Sequence, residues 1–182
     1  MKATSWYALR TFNCQELSLA KFLEEHGYSY FIPMTFTTKG RNGASVARHL
    51  VPAVHNLVFL PKPDDLETFN AVLATCRIPV HVFRKLDSKD YYEIPDTEMR
   101  EFRLLCDPDY EGSQFISLAE AEAKEGKEVR VVHGPFAGIT GRLVRKRNEY
   151  YFIKTMMEVG VMLRISRWYC EPVPEKTNNP KS

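Results

Sequence analysis

Apolar positions change their period several times along the chain, and each change predicts an element. Residues 6–11, Trp-Tyr-Ala-Leu-Arg-Thr, predict a strand. Asn13 offers a side-chain oxygen where a helix can start, and Glu16 stands three residues on, as in a capping box. Leu17, Ala20 and Leu23, widened by Leu19 and Phe22, then recur at helical spacing up to Gly27. Residues 28–37, rich in aromatic and β-branched types, return to strand. Lys39-Gly-Arg-Asn-Gly-Ala-Ser45 has the chemistry of an exposed hairpin tip, and strands are expected at 46–51 and 56–60 with Pro52 between them. Residues 64–75 predict a helix capped by Asp64, with Leu66, Phe69, Val72 and Leu73 on one face. After Pro79 comes a brief strand at 80–83, and Pro95-Asp96 opens a last helix that turns Met99, Phe102 and Leu105 or Cys106 to one side.

Strands and helices in this irregular order predict an α+β domain over residues 1–107, built on one antiparallel sheet flanked by helices. The periodicity then lapses. Residues 108–126 hold Asp-Pro-Asp-Tyr-Glu-Gly-Ser and an Ala-Glu repeat with little core-forming face, and are expected to be a linker. Short strands follow near 128–133, 140–146, 150–155, 160–165 and 168–171. So many strands in so short a stretch predict a small closed barrel over 127–174, because closure removes open edges. The tail 175–182 is polar and expected to fray.

Charge and cysteine content narrow the function. A net charge of only +2 argues against wholesale coating of nucleic acid, yet the bases cluster in the C-terminal half. Cys14, Cys76, Cys106 and Cys170 form no C-x-x-C pair, so neither zinc nor a redox dithiol is expected. The start, Met-Lys-Ala-Thr-Ser-Trp, leads into no apolar run, and a cytoplasmic protein without membrane association is expected. The histidines His26, His49, His55, His81 and His133 fall in no nucleophile motif, so no catalysis and no cofactor are expected. Cys14 near a helix start and the Ser18-Leu-Ala-Lys21 pattern are too weak to alter this.

The most informative stretch is Val129-Arg-Val-Val-His-Gly-Pro-Phe-Ala-Gly-Ile-Thr-Gly-Arg-Leu143, where Gly134, Gly138 and Gly141 separate two apolar strands. It lacks the Gly-Lys-[Ser/Thr] ending of a phosphate loop. It resembles the KOW motif that opens SH3-like barrels. Trp6-Tyr-Ala-Leu-Arg-Thr-Phe-Asn-Cys-Gln-Glu16, Phe31-Ile-Pro33, Val54-His-Asn-Leu-Val-Phe-Leu60 and Ile94-Pro-Asp-Thr-Glu-Met99 resemble, in order, the strands and last helix of the NusG N-terminal domain. Nearly the whole chain is covered, and in character it is similar to specialised paralogues of the RfaH and UpxY type.

The resemblance implies a transcription elongation or antitermination factor, with capsular or exopolysaccharide operons as the expected targets. Its N-terminal domain would lay an apolar surface on the clamp helices of the largest subunit of RNA polymerase, with Val54, Leu57 and Phe59 as candidates. Leu57 stands where the family usually has Tyr, and His55-Asn56 replace Pro-Gly. Alternation puts Leu57 and Phe59 on one face and Val58 and Leu60 on the other, without saying which pair is core. Arg10, Lys21 and His26 are candidates for non-template DNA, or simply solvated charges, as are Arg41 and Arg48. On the barrel, Phe136 and Ile139 would meet a small-subunit ribosomal protein or the termination factor Rho, with Arg142, Arg145, Lys146 and Arg147 beside them. Alternatively Phe136 folds back over the barrel's open end. A monomer is expected. The other reading is a KOW-containing RNA-binding or ribosome-associated protein.

Overall fold

A computed structural model describes residues 5–37, 48–110 and 112–174. The chain forms two units, Met1–Asp109 and Tyr110–Ser182. The expected hairpin tip at 39–45, Arg41 and the tail 175–182 lie outside the described residues.

The first unit is organised around β1 (Ser5–Arg10), which pairs antiparallel along its length with β4 (Leu57–Pro61). The opposite edge of β1 carries two short antiparallel strands, β5 (His81–Val82) and β6 (Ile94–Pro95). A separate hairpin pairs β2 (Met34–Thr37) with β3 (His49–Pro52). Of the strand expected over 28–37, the first half is irregular. It contributes one bridge, in which Phe31 and Phe59 exchange backbone hydrogen bonds of 2.7 and 2.8 Å.

Helices cover both faces of the four-stranded sheet. On one face Tyr7, Leu9, Val58, Leu60 and Val82 pack with Leu19, Ala20 and Leu23 of α1 (Glu16–Glu25) and Phe69 of α2 (Leu66–Thr75). On the other, α3 (Asp96–Leu105) brings Phe102 to 5.6 Å from Phe59, and Asp96 accepts a 2.9 Å hydrogen bond from Trp6 Nε1. Burial therefore extends along every position from Leu57 to Leu60.

Helix starts differ in detail from expectation. Asn13 and Cys14 sit in left-handed backbone (φ 56 and 54°), so α1 begins at Glu16 without a side-chain cap. Its buried stripe is Glu16, Leu19, Ala20 and Leu23, leaving Leu17 exposed. Asp65, rather than Asp64, caps α2 by accepting from the Glu67 and Thr68 amides. Its carboxyl is held below the usual range by the hydrogen bonds from Thr68.

The second unit is an SH3-like antiparallel sheet of order β12-β8-β9-β10-β11-β7. Its strands are β7 (Ser113–Ser117), β8 (Lys127–Val131), β9 (Thr140–Lys146), β10 (Glu149–Met156), β11 (Val159–Arg164) and β12 (Cys170–Pro172). The segment 108–126, read from sequence as linker, holds β7 and the short helix α4 (Leu118–Glu122), both built into this unit. Ala121 of α4 is fully buried against Val144, Ile153 and Met162. At Gly160 a Cβ would stand 3.1 Å from that of Ala121, so the glycine allows the helix to lie close. The other face of β10 and β11 holds Phe152, Val161 and Leu163.

Candidate functional site

Leu57 and Phe59, the expected polymerase-facing pair, are 2% and 0% exposed. The outward assignment is corrected for a plain physical reason: α3 covers their face as α1 and α2 cover the other, so neither half of β4 meets water. Val54 is half-buried just ahead of the strand. An apolar groove lies one layer further out. Phe31, bridged to Phe59 with rings 6.3 Å apart, lines a groove of about 340 Å³ with Leu104, Cys106 and Pro108, flanked by Arg100, Arg103 and Asp107. Leu104 is 45% exposed, and the Arg103 guanidinium lies 5.4 Å from the centre of the Phe31 ring. Arg100 pairs with Asp96 at 2.8 Å. Burial pushes the Cys106 thiol far above its ordinary range, so it remains a protonated, apolar wall of the groove. Sequence reasoning missed these residues because Phe31 is not in a regular strand and Leu104 lies off the buried face of α3.

Val54 leads into a polar knot. Asn56, in left-handed backbone (φ 63°), accepts through its side chain from the Cys14 amide at 2.8 Å. Its own amide donates to Glu16 at 3.1 Å, and His55 Nδ1 lies 3.0 Å from the other oxygen of the same carboxylate. Glu16 is 2% exposed. Burial opposes its ionisation, but the hydrogen bonds from His55 and the backbone amides of Glu16 and Asn56 prevail and hold its pKa below the usual carboxylate value.

The three residues expected at DNA each have their own neighbours. Arg10, exposed, lies over the Phe83 ring; Lys21 sits 3.9 Å from Glu25; His26 rests on Phe22 and engages its carbonyl at 2.8 Å. Arg48 lies over the Phe36 ring at 4.4 Å.

In the second unit, Phe136 is 5% and Ile139 3% exposed, which corrects their expected role as exposed anchors. Gly134 (φ 83°) and Gly138 (φ 96°) fold the loop back on itself, and the Gly138 amide donates to the Val131 carbonyl at 2.7 Å. Phe136 thereby turns inward and meets the Tyr110 ring edge-on at 4.8 Å. Gly141 acts by close approach instead, since a Cβ there would stand 2.5 Å from the Phe152 ring. Arg142 is committed to α4: its guanidinium donates to the carbonyls of Ala121 (2.7 Å) and Lys124 (3.2 Å). Arg145 is exposed, bonded to Asn148 and 5.8 Å from the Tyr150 ring centre. Arg147 and Asn148 (φ 48 and 67°) form the two-residue turn joining β9 to β10, with the paired positive φ of a type I′ hairpin.

No group of three His, Cys, Asp or Glu side chains suited to a metal occurs among the described residues, and none of their helices is long and apolar enough to cross a membrane. Residues 4–103, nearly the whole first unit, match the NusG family, described as transcription termination factor nusG. The chain belongs to the NusG family. NusG of Thermotoga maritima, in a structure describing its domain interaction, is similar in fold: 18% identity, a TM-score of 0.51, and coverage of 94% of this chain and 98% of that one. No curated protein matches the chain. NusG-family proteins are transcription factors of elongation and antitermination, and RNA polymerase is their general kind of partner. The groove beside α3 lies in the unit that carries the family match.

Proposed function

We propose that this NusG-family chain grips the clamp helices of the polymerase's largest subunit through the groove lined by Phe31, Leu104 and Pro108. The family match over the first unit carries this reading. The groove adds chemical support, because an apolar floor rimmed by Arg100 and Arg103 suits a helical hairpin that offers apolar side chains between acidic ones. Leu57 and Phe59 act from beneath by fixing Phe31 and α3. Arg10, Lys21 and His26 lie towards non-template DNA, and the second unit recruits a ribosomal protein or Rho at raised local concentration. Binding only the closed polymerase shifts its population away from the paused or terminating state without chemistry on the factor's part. Long capsular or exopolysaccharide operons are the proposed targets, on the strength of the resemblance to RfaH and UpxY factors.

The test is retention of core RNA polymerase on the immobilised chain, followed by single-round transcription through a terminator. The unaltered chain is expected to retain polymerase and alter read-through. Leu104→Asp, at an exposed position, should weaken retention about ten-fold or more while the fold persists. Full retention by that variant would remove the groove from the contact, and no retention by the unaltered chain would overturn the reading.

A further inference from the structure

The first unit carries a second cavity, on the sheet face that α1 and α2 cover and so away from the Phe31 groove. It measures about 400 Å³ and none of the roles above uses it. Leu66 and Asn70 of α2 line one side, the turn from Arg84 to Tyr91 lines the other, and buried Tyr7 of β1 lies between them. The turn is held in one shape. Arg84 and Tyr91 bridge antiparallel, and the Lys85 amide donates to the Asp90 carbonyl at 3.0 Å. The Arg84 guanidinium donates to the Lys89 carbonyl at 2.8 Å and lies over the Tyr91 ring. The Tyr91 hydroxyl donates to Asn70 Oδ1 at 2.7 Å, which ties the turn to α2. A cavity preformed in this way loses little freedom when a ligand enters.

Partners already made decide which groups are left for a ligand. Lys62 pairs with Glu93 at 2.7 Å, and Glu93 also accepts from the Ser5 hydroxyl. The hydrogen bond between them holds the Glu93 carboxyl below and the Lys62 ammonium above their ordinary values, so both stay charged and engaged with each other. Arg84 is engaged by the turn. Lys85 and Lys89 are exposed and form no salt bridge with a described residue, although Lys85 lies near enough to feel the charge of Glu93. Asn70, its oxygen taken by Tyr91, keeps two N–H donors. Asp90 accepts from Ser88 through one oxygen and keeps the other.

This lining selects its ligand by charge and by hydrogen bonding together. Lys62, Arg84, Lys85 and Lys89 face only Asp90 and Glu93, which leaves an excess of two positive charges. A phosphate monoester carries about the matching charge at neutral pH. A wholly anionic molecule would be pressed against the two carboxylates, and a neutral sugar would leave both lysines without a counter-charge. An anion that also bears hydroxyl groups satisfies every group, since its phosphate takes the lysines and its hydroxyls donate to Asp90 and accept from Asn70. The volume is at the small end of ligand cavities, about 300–1,000 Å³, and suits one such unit rather than a strand. We propose that this cavity binds a sugar phosphate, free or as the ribose phosphate of a nucleotide, with Lys85 and Lys89 on the phosphate and Asn70 and Asp90 on the sugar hydroxyls.

The experiment is an amide NMR titration of the full, isotope-labelled chain with glucose 1-phosphate, uridine monophosphate, glucose and inorganic phosphate. Expected are saturable shifts at residues 84–93 and around Asn70 with one or both sugar phosphates, the tighter of the two naming the source. Glucose should not bind, and inorganic phosphate should bind about ten-fold more weakly or worse. Lys85→Gln combined with Lys89→Gln should weaken sugar phosphate binding about ten-fold or more. Asp90→Ala, which removes an acceptor and a negative charge together, should narrow the preference for sugar phosphate over inorganic phosphate. All three positions are exposed, and unchanged amide shifts outside the cavity confirm that the variants keep their fold. No binding of either sugar phosphate overturns the proposal, as do equal affinity for inorganic phosphate and unaltered affinity of the double lysine variant. Tighter binding of a thymidine dodecamer at the same amides also overturns it, by making the site a contact for a strand. Retention of polymerase by the lysine variant should be unchanged, because the Phe31 groove lies on the other face of the sheet, so the two readings can fail separately.

Discussion

Glu16 is ionised in a place that would ordinarily keep a carboxyl neutral, and its partners decide the outcome. With its folded pKa below the ordinary 4.5, the unfolded chain binds more protons between the two values. Stability from this group is thus complete above about pH 4.5 and is lost as pH falls through the lower, folded value. Glu16→Gln should cost about 1–2 kcal/mol at pH 7, and its deficit against the unaltered chain should shrink at pH 3. Urea midpoints at the two pH values check this. Phe59 and Leu104 separate support from contact. Phe59→Asp places a charge among Phe31, Phe102 and the sheet and should destabilise the first unit by about 4 kcal/mol or more, so its loss of polymerase binding would report unfolding. Leu104→Asp should leave the urea midpoint within about 0.5 kcal/mol of the unaltered chain while binding falls.

At the scale of elements, the sequence speaks clearly where hydrophobic period and turn chemistry agree. β9 occupies 140–146 as expected, and α3 turns Met99, Phe102 and Leu105 inward as its spacing predicts. β4 was legible in a way that alternation concealed: four consecutive apolar residues from Leu57 to Leu60 are the mark of a strand covered on both faces. The inward turn of Phe136 was less accessible, since it depends on Tyr110, whose place in the second unit no local pattern announces. Likewise α4 buries only the methyl of Ala121, too small a stripe for periodicity to reveal. What fixes that helix is remote, namely Arg142 on β9 donating to the carbonyls of Ala121 in the helix and of Lys124 just beyond its end. Arg142→Ala should therefore cost about 1–2 kcal/mol in thermal or urea unfolding, and Arg142→Lys should recover only part, having no fork to reach both carbonyls.

For the whole molecule, the placement of β7 and α4 changes where the chain can be cut. A fragment of residues 110–182 keeps the partner strand of β11, the helix over Ile153 and the ring over Phe136. A fragment beginning at 127 loses all three and leaves β11 as an open edge. The shorter piece should melt more than about 10 °C below the longer one by circular dichroism. The chain's two tryptophans, finally, are divided between the units in opposite surroundings. Trp6 is enclosed in the first and bonded to Asp96, whereas Trp168 stands in water on the second. Only the enclosed indole changes its surroundings much when its unit opens, so a red shift of intrinsic emission during denaturation follows the first unit almost alone. The molecule thus carries its own optical label for the half that bears the family match.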